Sequence, residues 1–143
     1  DILPTFAALS GAALPNQTID GHDIRPLLLG EADAKSPADE KGFFYYHIDQ
    51  LQALRSGPWK LYLPLEAKRA NLVNKRAPSP LQLFNVRDDL AEAHEVSAQH
   101  PEIVERLQKL AEAARADIGD DDKPGTGQRS AGLVENPTAR TKD

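Results

Sequence analysis

Between Pro101 and Gly119 the chain carries a pattern that dictates what must surround it. Ile103, Leu107, Leu110, Ala114 and Ile118 recur at helical spacing, Val104 and Ala111 flank them, and the opposite side is charged. Such a segment is an amphipathic helix whose apolar stripe has to be buried against another element. Pro101 suits the first helical position, where the N–H has no intrahelical partner, and Gly119 suits the position just past the last turn. His100 stands where a cap is expected. Glu102–Arg106 and Glu105–Lys109 are four residues apart with the acid first, an order that adds about 0.2–0.5 kcal/mol per pair.

The cover for that stripe has to come from the centre of the chain. Trp59, Leu61 and Leu63 alternate with Lys60 and Tyr62, the signature of a strand with one buried face. Leu51–Arg55 precedes it across Ser56-Gly57-Pro58, and strands joined by so short a turn are antiparallel neighbours. Phe43–Tyr46 is aromatic and strand-prone, and Leu81–Val86 supplies a fourth strand ended by Arg87-Asp88-Asp89. The predicted fold is therefore α+β: a small antiparallel sheet of about four strands packed against a long C-terminal helix, with a short N-terminal helix and an extended C-terminal tail. One unit is expected over residues 1–119, followed by a polar tail over 120–143, extended or flexible in isolation.

The flanks are weaker in pattern. Asp1–Gly11 reads as the short helix, with Asp1 as its cap, Ile2, Leu3, Phe6 and Leu9 as its apolar stripe and Gly11 as its stop. Ile24–Leu29, split by Pro26 and closed by Gly30, is expected as one helical turn lying on the core. Residues 31–41 read as a surface loop, and 66–80 as a long basic one.

Charge and composition narrow the function. With 17 Lys and Arg against 22 Asp and Glu the net charge is −5, and no basic block exists to meet nucleic-acid phosphates. No apolar run approaches the roughly 20 residues that span a bilayer. Cysteine is absent, which excludes disulfides, thiolate metal sites and a cysteine nucleophile from this segment. Methionine is absent too, so the start codon is expected outside the chain, which reads as a piece of a longer protein.

Little here has the arrangement that chemistry needs. His22, His47, His94 and His100 lack metal-ligand spacing, and Asp120-Asp121-Asp122 lacks the spaced ligands and turn glycine of a calcium loop, so it reads as a solvated run. Ser10 and Ser56 have no nucleophile-elbow context, and no glycine-rich phosphate loop is present. No catalytic residue and no metal ligand are expected in this chain. The one place where polar groups project at the end of an aromatic strand is Tyr45–Gln50, where His47 and Asp49 sit at a hairpin tip. A tip that simply faces water is the competing reading.

Four segments, in order, resemble the C-terminal region of the arylsulfatase family. They are DILPTFAALSGAALPNQTIDGHDIRPLLLG, FFYYHIDQLQALRSGPWKLYL, LQLFNVRDDLAEAHEVSAQHPEIVERLQKLAEAA and GTGQRSAG, which together span nearly the whole chain. The matching positions are scaffold: Arg55, Trp59, Lys60, Leu83 and Asp88. The resemblance implies a parent that hydrolyses sulfate esters with a formylglycine nucleophile, made within a Cys/Ser-x-Pro-x-Arg motif, beside a calcium ion. That motif has no match here, so the nucleophile and the calcium ligands are expected upstream, and no cofactor is expected in this chain. The implied partner is the parent's own N-terminal catalytic domain, with His47 and Asp49 near the substrate entrance and the parent periplasmic or secreted. A sheet face or first helix that abuts that domain is expected to be apolar and to favour self-association in the isolated fragment. Two other readings stay open. One is an independent binding or interaction module for sulfated glycans or protein, using Lys68, Arg69, Lys75 and Arg76. The other is the C-terminal part of a related phosphodiesterase or phosphatase.

Overall fold

The computed structural model describes residues 1–65, 78–129 and 135–136. Strands β1 (Phe43–His47), β2 (Gln50–Ser56), β3 (Trp59–Tyr62) and β4 (Gln82–Asn85) form an antiparallel sheet in the order β1-β2-β3-β4. Helices α1 (Ile2–Ser10), α2 (Arg25–Leu28) and α3 (Pro37–Lys41) precede the sheet, and α4 (Pro101–Asp117) follows it. The short strands β5 (Gly119–Asp120) and β6 (Lys123–Pro124) make a second, two-stranded hairpin after α4. The α+β architecture is the expected one, helix on antiparallel sheet.

Register explains which face α4 covers. Leu54, Leu61 and Leu83 lie opposite one another across β2, β3 and β4, so three leucines meet on one rung. Together with Leu51 and Leu63 they pack against Leu107, Ala111 and Ala114 of α4 to form the core. The alanines let the helix approach closely, and Leu107, fully buried, contributes about 1.5–3 kcal/mol by leaving water. Ile103 and Leu110 line the edge of this contact, whereas Ile118 is largely exposed.

The other face of the sheet is held by polar chemistry. Arg55, Lys60 and Phe84 share one rung there, and Ala53, Tyr62 and Gln82 the next. The segment after β4 folds across it: Lys60 Nζ and the Tyr62 hydroxyl donate to the two carboxylate oxygens of Glu92 at 2.7 and 2.6 Å. The same segment protects the free edge of β4, because Val96 N–H donates to Leu83 O and Leu83 N–H donates to Glu95 Oε1, both at 3.0 Å.

Several local expectations change. Asp1 occupies the N-cap of α1 without a side-chain capping bond; its carboxylate instead accepts from His22 N–H at 2.8 Å. His100 likewise stands at the N-cap of α4 without capping it, and its ring packs on Trp59 with centroids 4.7 Å apart. Lys109 pairs with Glu105 at 2.7 Å as anticipated, but Arg106 turns inward to the hydroxyl of buried Ser56 at 2.8 Å. That hydroxyl donates to Asp39 O at 2.5 Å, so α4, β2 and α3 are tied through one serine. The loop expected over 31–41 contains α3, begun by Ser36, whose side chain accepts from Ala38 N–H, and by Pro37 at the first helical position.

The N-terminal helices break the usual rule of burial. In α1 the buried residues are Pro4, Thr5 and Ala7, while Ile2, Leu3, Phe6 and Leu9 face outward. Helix α2 forms where one turn was expected, yet it does not lie on the core, because Leu27, Leu28 and Leu29 are exposed. The two helices are joined by Ile24 N–H donating to Thr5 Oγ1 at 3.0 Å and Arg25 Nη1 donating to Ala8 O at 3.2 Å. The cations Lys68, Arg69, Lys75 and Arg76 lie outside the described residues, as does most of the expected tail beyond Arg129.

Candidate functional site

Strands β1 and β2 end at a tight tip. His47 pairs with Gln50 across the ladder, leaving Ile48 and Asp49 as the corner. The register shifts between Tyr45 and Tyr46, which face Ala53 and Leu51, so Gln52 of β2 is a β-bulge that puts Leu51 on the same face as Leu54. Ile48 takes a left-handed backbone, φ 58°, although it is β-branched, and its side chain is 81% exposed. Backbone of that kind normally belongs to Gly, Asn or Asp, so a strained, solvated isoleucine is unusual at a turn.

The β5–β6 hairpin grips this tip from the side. Its corner is Asp121-Asp122, both with positive φ, the geometry that a two-residue hairpin turn requires and aspartate tolerates. Asp121 N–H donates to Asp49 O at 3.0 Å, the Tyr46 hydroxyl donates to Gly119 O at 2.8 Å, and Leu51 N–H donates to Asp120 Oδ1 at 2.8 Å. The other oxygen of Asp120 accepts from Arg115 Nε at 2.7 Å, and Arg115 also reaches Glu112. Where the triple aspartate suggested a solvated run, two of its members turn the chain and the first is an anchor. Gly119, at φ 105°, is needed for the close approach, since a Cβ there would meet Lys123 O at 2.4 Å.

Between the two tips lies an open hollow of about 420 Å³, bordered by Ile48, Asp49, Ile118, Asp122, Lys123 and Gln128. Its floor is Tyr46, whose phenol burial and the nearby Asp120 carboxylate keep above its usual pKa, so it is a neutral donor at any physiological pH. Arg115 loses some basicity by burial, but its bonds to Asp120 and Glu112 more than restore it. The structure thus places Asp49 at the rim, half-buried, and His47 one residue before the corner, exposed. It brings them to one hairpin end. His22, by contrast, is with Lys41, whose ammonium lies 2.6 Å from Nε2, and His94 is on the segment after β4, near Asp89. Among the described residues no three of His, Asp and Glu converge where an ion could be held.

Sequence reasoning missed Ile48, the β5–β6 clamp and the Lys60–Tyr62–Glu92 cluster. Strand alternation put Lys60 and Tyr62 on one face, but no local signal connects Glu92 to them from 30 residues away along the chain.

The family whose description reads C-terminal region of aryl-sulfatase matches residues 38–131. Arylsulfatase A of Bos taurus is 32% identical over 137 residues, which is 80% of this chain and 27% of the bovine protein. A solved Bacteroides thetaiotaomicron structure, from work on the metabolism of multiple glycosaminoglycans, aligns at TM-score 0.58 and 29% identity over 80% of this chain and 24% of that one. The structure of Ps i-CgsB in complex with k-i-k-neocarrahexaose aligns at TM-score 0.56 and 27% identity, over 78% of this chain and 22% of that one. The chain therefore spans about a quarter of the length of the relatives it matches.

Proposed function

The chain belongs to the family of aryl-sulfatase C-terminal regions, and from that premise we propose that it is the non-catalytic C-terminal portion of a sulfate-ester hydrolase. The observation that carries this reading is the family match over residues 38–131, which takes in the whole sheet and α4. The relatives it matches are themselves sulfatases. In this reading the chemistry is assigned to the remainder of the parent, because the matched family is described as a C-terminal region and the chain spans about a quarter of its relatives. There a formylglycine and a calcium ion would supply the nucleophile and the charge stabilisation, held by residues outside this chain. The parent is assigned to the periplasm or the extracellular space. Of the described helices, none is long and apolar enough to cross a membrane.

In this reading the sheet and α4 form a rigid base beside the catalytic domain, and the β1–β2 tip borders the substrate entrance. Supporting that role is the way the tip is built: it is pinned by Asp120 and Arg115, while His47 and Ile48 are exposed to solvent. A pinned loop with an exposed histidine and isoleucine is suited to select among substrates without taking part in bond breaking. The test is His47→Ala and Asp49→Ala in the intact parent, assayed for sulfate release across a panel of sulfated sugars and aryl sulfates. Relative kcat/KM values are expected to change by about 10-fold between panel members, with little change in the best-case kcat. A uniform profile, identical in shape to that of the unaltered enzyme, would remove both residues from the entrance.

A further inference from the structure

We propose that the hollow between the two hairpin tips receives an uncharged sugar ring of the substrate, next to the unit that carries the scissile sulfate, an inference that rests on the sulfatase reading above. Two isoleucines point to it. Ile118 ends the apolar stripe of α4, yet it is 42% exposed and borders the hollow instead of joining the core. Ile48 borders the same hollow from the β1–β2 tip, on a left-handed backbone that a β-branched residue adopts only under strain. With Pro124 they give the hollow an apolar lining that contributes nothing to the leucine core.

The polar groups around that lining are mostly acceptors. Asp49, Asp120 and Asp122 border the hollow, and Lys123 is the one cation among its described lining residues. An ionised carboxylate offers about four lone-pair positions, so one that already serves a neighbour still takes further donors. Gln128 donates its Nε2 to Ile118 O, and its amide oxygen adds another acceptor. Hydroxyl groups are the donors that suit such a rim, and the C–H face of a sugar ring suits isoleucine and proline. An aryl group would bring no donors to the carboxylates, and a second sulfate would bring them more acceptors.

The walls are set before anything enters. The bonds from the Tyr46 hydroxyl to Gly119 O, from Asp121 N–H to Asp49 O and from Leu51 N–H to Asp120 Oδ1 hold the two hairpins at a fixed spacing. A site preformed in this way binds without first having to order its own loops. His47 is not part of the lining, so its influence on the substrate is separable from that of the hollow.

The test uses the intact parent and three substrates built on one sulfated monosaccharide: the monosaccharide alone, its extension by an uncharged hexose, and its extension by a sulfated hexose. The uncharged extension is expected to raise kcat/KM by about 10-fold or more, and Ile48→Asn and Ile118→Ser each to remove most of that gain. Asparagine accepts the left-handed backbone, so Ile48→Asn removes the side chain without adding strain. No gain from the uncharged hexose, a larger gain from the sulfated one, or a loss in the variants that is equal for all three substrates would overturn the proposal. If a variant fails to fold, saturation-transfer NMR of the unaltered parent with the desulfated extended product replaces it. Irradiated methyl groups are expected to pass saturation to the ring protons of the uncharged hexose, and transfer confined to the other unit would overturn the proposal. A substrate profile altered by His47→Ala but by neither isoleucine variant would overturn it and leave the entrance reading standing. Sulfate release from aryl sulfates alone would overturn it and leave the sulfatase reading standing, whereas no release from any substrate would sink both.

Discussion

Glu92 holds a left-handed backbone, φ 53°, and is kept there by what its carboxylate gains. Burial alone would raise its pKa, but the hydrogen bonds from Lys60 and Tyr62 outweigh it and hold the acid below the ordinary 4.5. For Lys60 the balance runs the same way: burial lowers its pKa, and the bonds to Glu92 and Tyr62 carry it above 10.5. A depressed acid contributes stability that is present above its unfolded pKa and lost as pH falls through the folded one. A raised base contributes stability that is present below its unfolded pKa and lost as pH climbs through the folded one. The pair therefore supports the fold across the whole range between, and weakens it only outside. Glu92→Gln should lower the unfolding free energy by about 1–3 kcal/mol at neutral pH, as urea denaturation would measure. The difference from the unaltered chain should narrow on acidification, from the ordinary 4.5 downward through the depressed pKa of the folded carboxylate. A gap that stays constant down to pH 3 would mean that the ion pair does not carry it.

Elements that announce their partners were readable, and elements that depend on a distant contact were not. The α4 stripe and the β3 alternation each specify one buried face, and the only consistent arrangement stacks them; the Leu54–Leu61–Leu83 rung meeting Leu107 is that arrangement. Helix α3 went unread because five residues of PADEK have no room for an apolar period, and its stability comes from the Ser36 cap and from Ser56 bonding its Asp39 carbonyl. The β5–β6 hairpin was hidden for another reason. A triple aspartate is chemically a solvated run unless a cation is placed beside it, and Arg115, a turn and a half of chain earlier, is that cation. Arg115→Ala should release the hairpin without unfolding the sheet: amide exchange at Asp121 and Leu51, the two donors that cross to the tip, should accelerate by about 10-fold or more, while Leu61 stays protected. Simultaneous loss of protection at Leu61 would show that the clamp belongs to the core instead. At the candidate site, then, the sequence carried the location of His47 and Asp49, and the fold alone carried what holds them.

For the whole molecule the question is whether residues 1–30 and the sheet–helix body behave as one unit. The corner packs on itself through Thr5, Arg25 and Asp1, and its buried side chains are small. Lys41 reaches it at His22, and Arg129 reaches it at the carboxylate of Asp20 and at Thr18 O, 2.9 Å away. These polar ties are solvent-exposed, and exposed pairs of that kind contribute only about 0–1 kcal/mol each. The body, with its leucine core, does not need them. In the isolated 143-residue chain the amides of α1 should therefore exchange about 100-fold faster than those of Leu54 and Leu61, the signature of a corner that opens while the sheet stays closed. Phe6→Ala, which removes a side chain that already faces water, should leave the body's urea midpoint unchanged within about 0.5 kcal/mol. Equal protection across α1 and β3 would instead make the chain one cooperative unit.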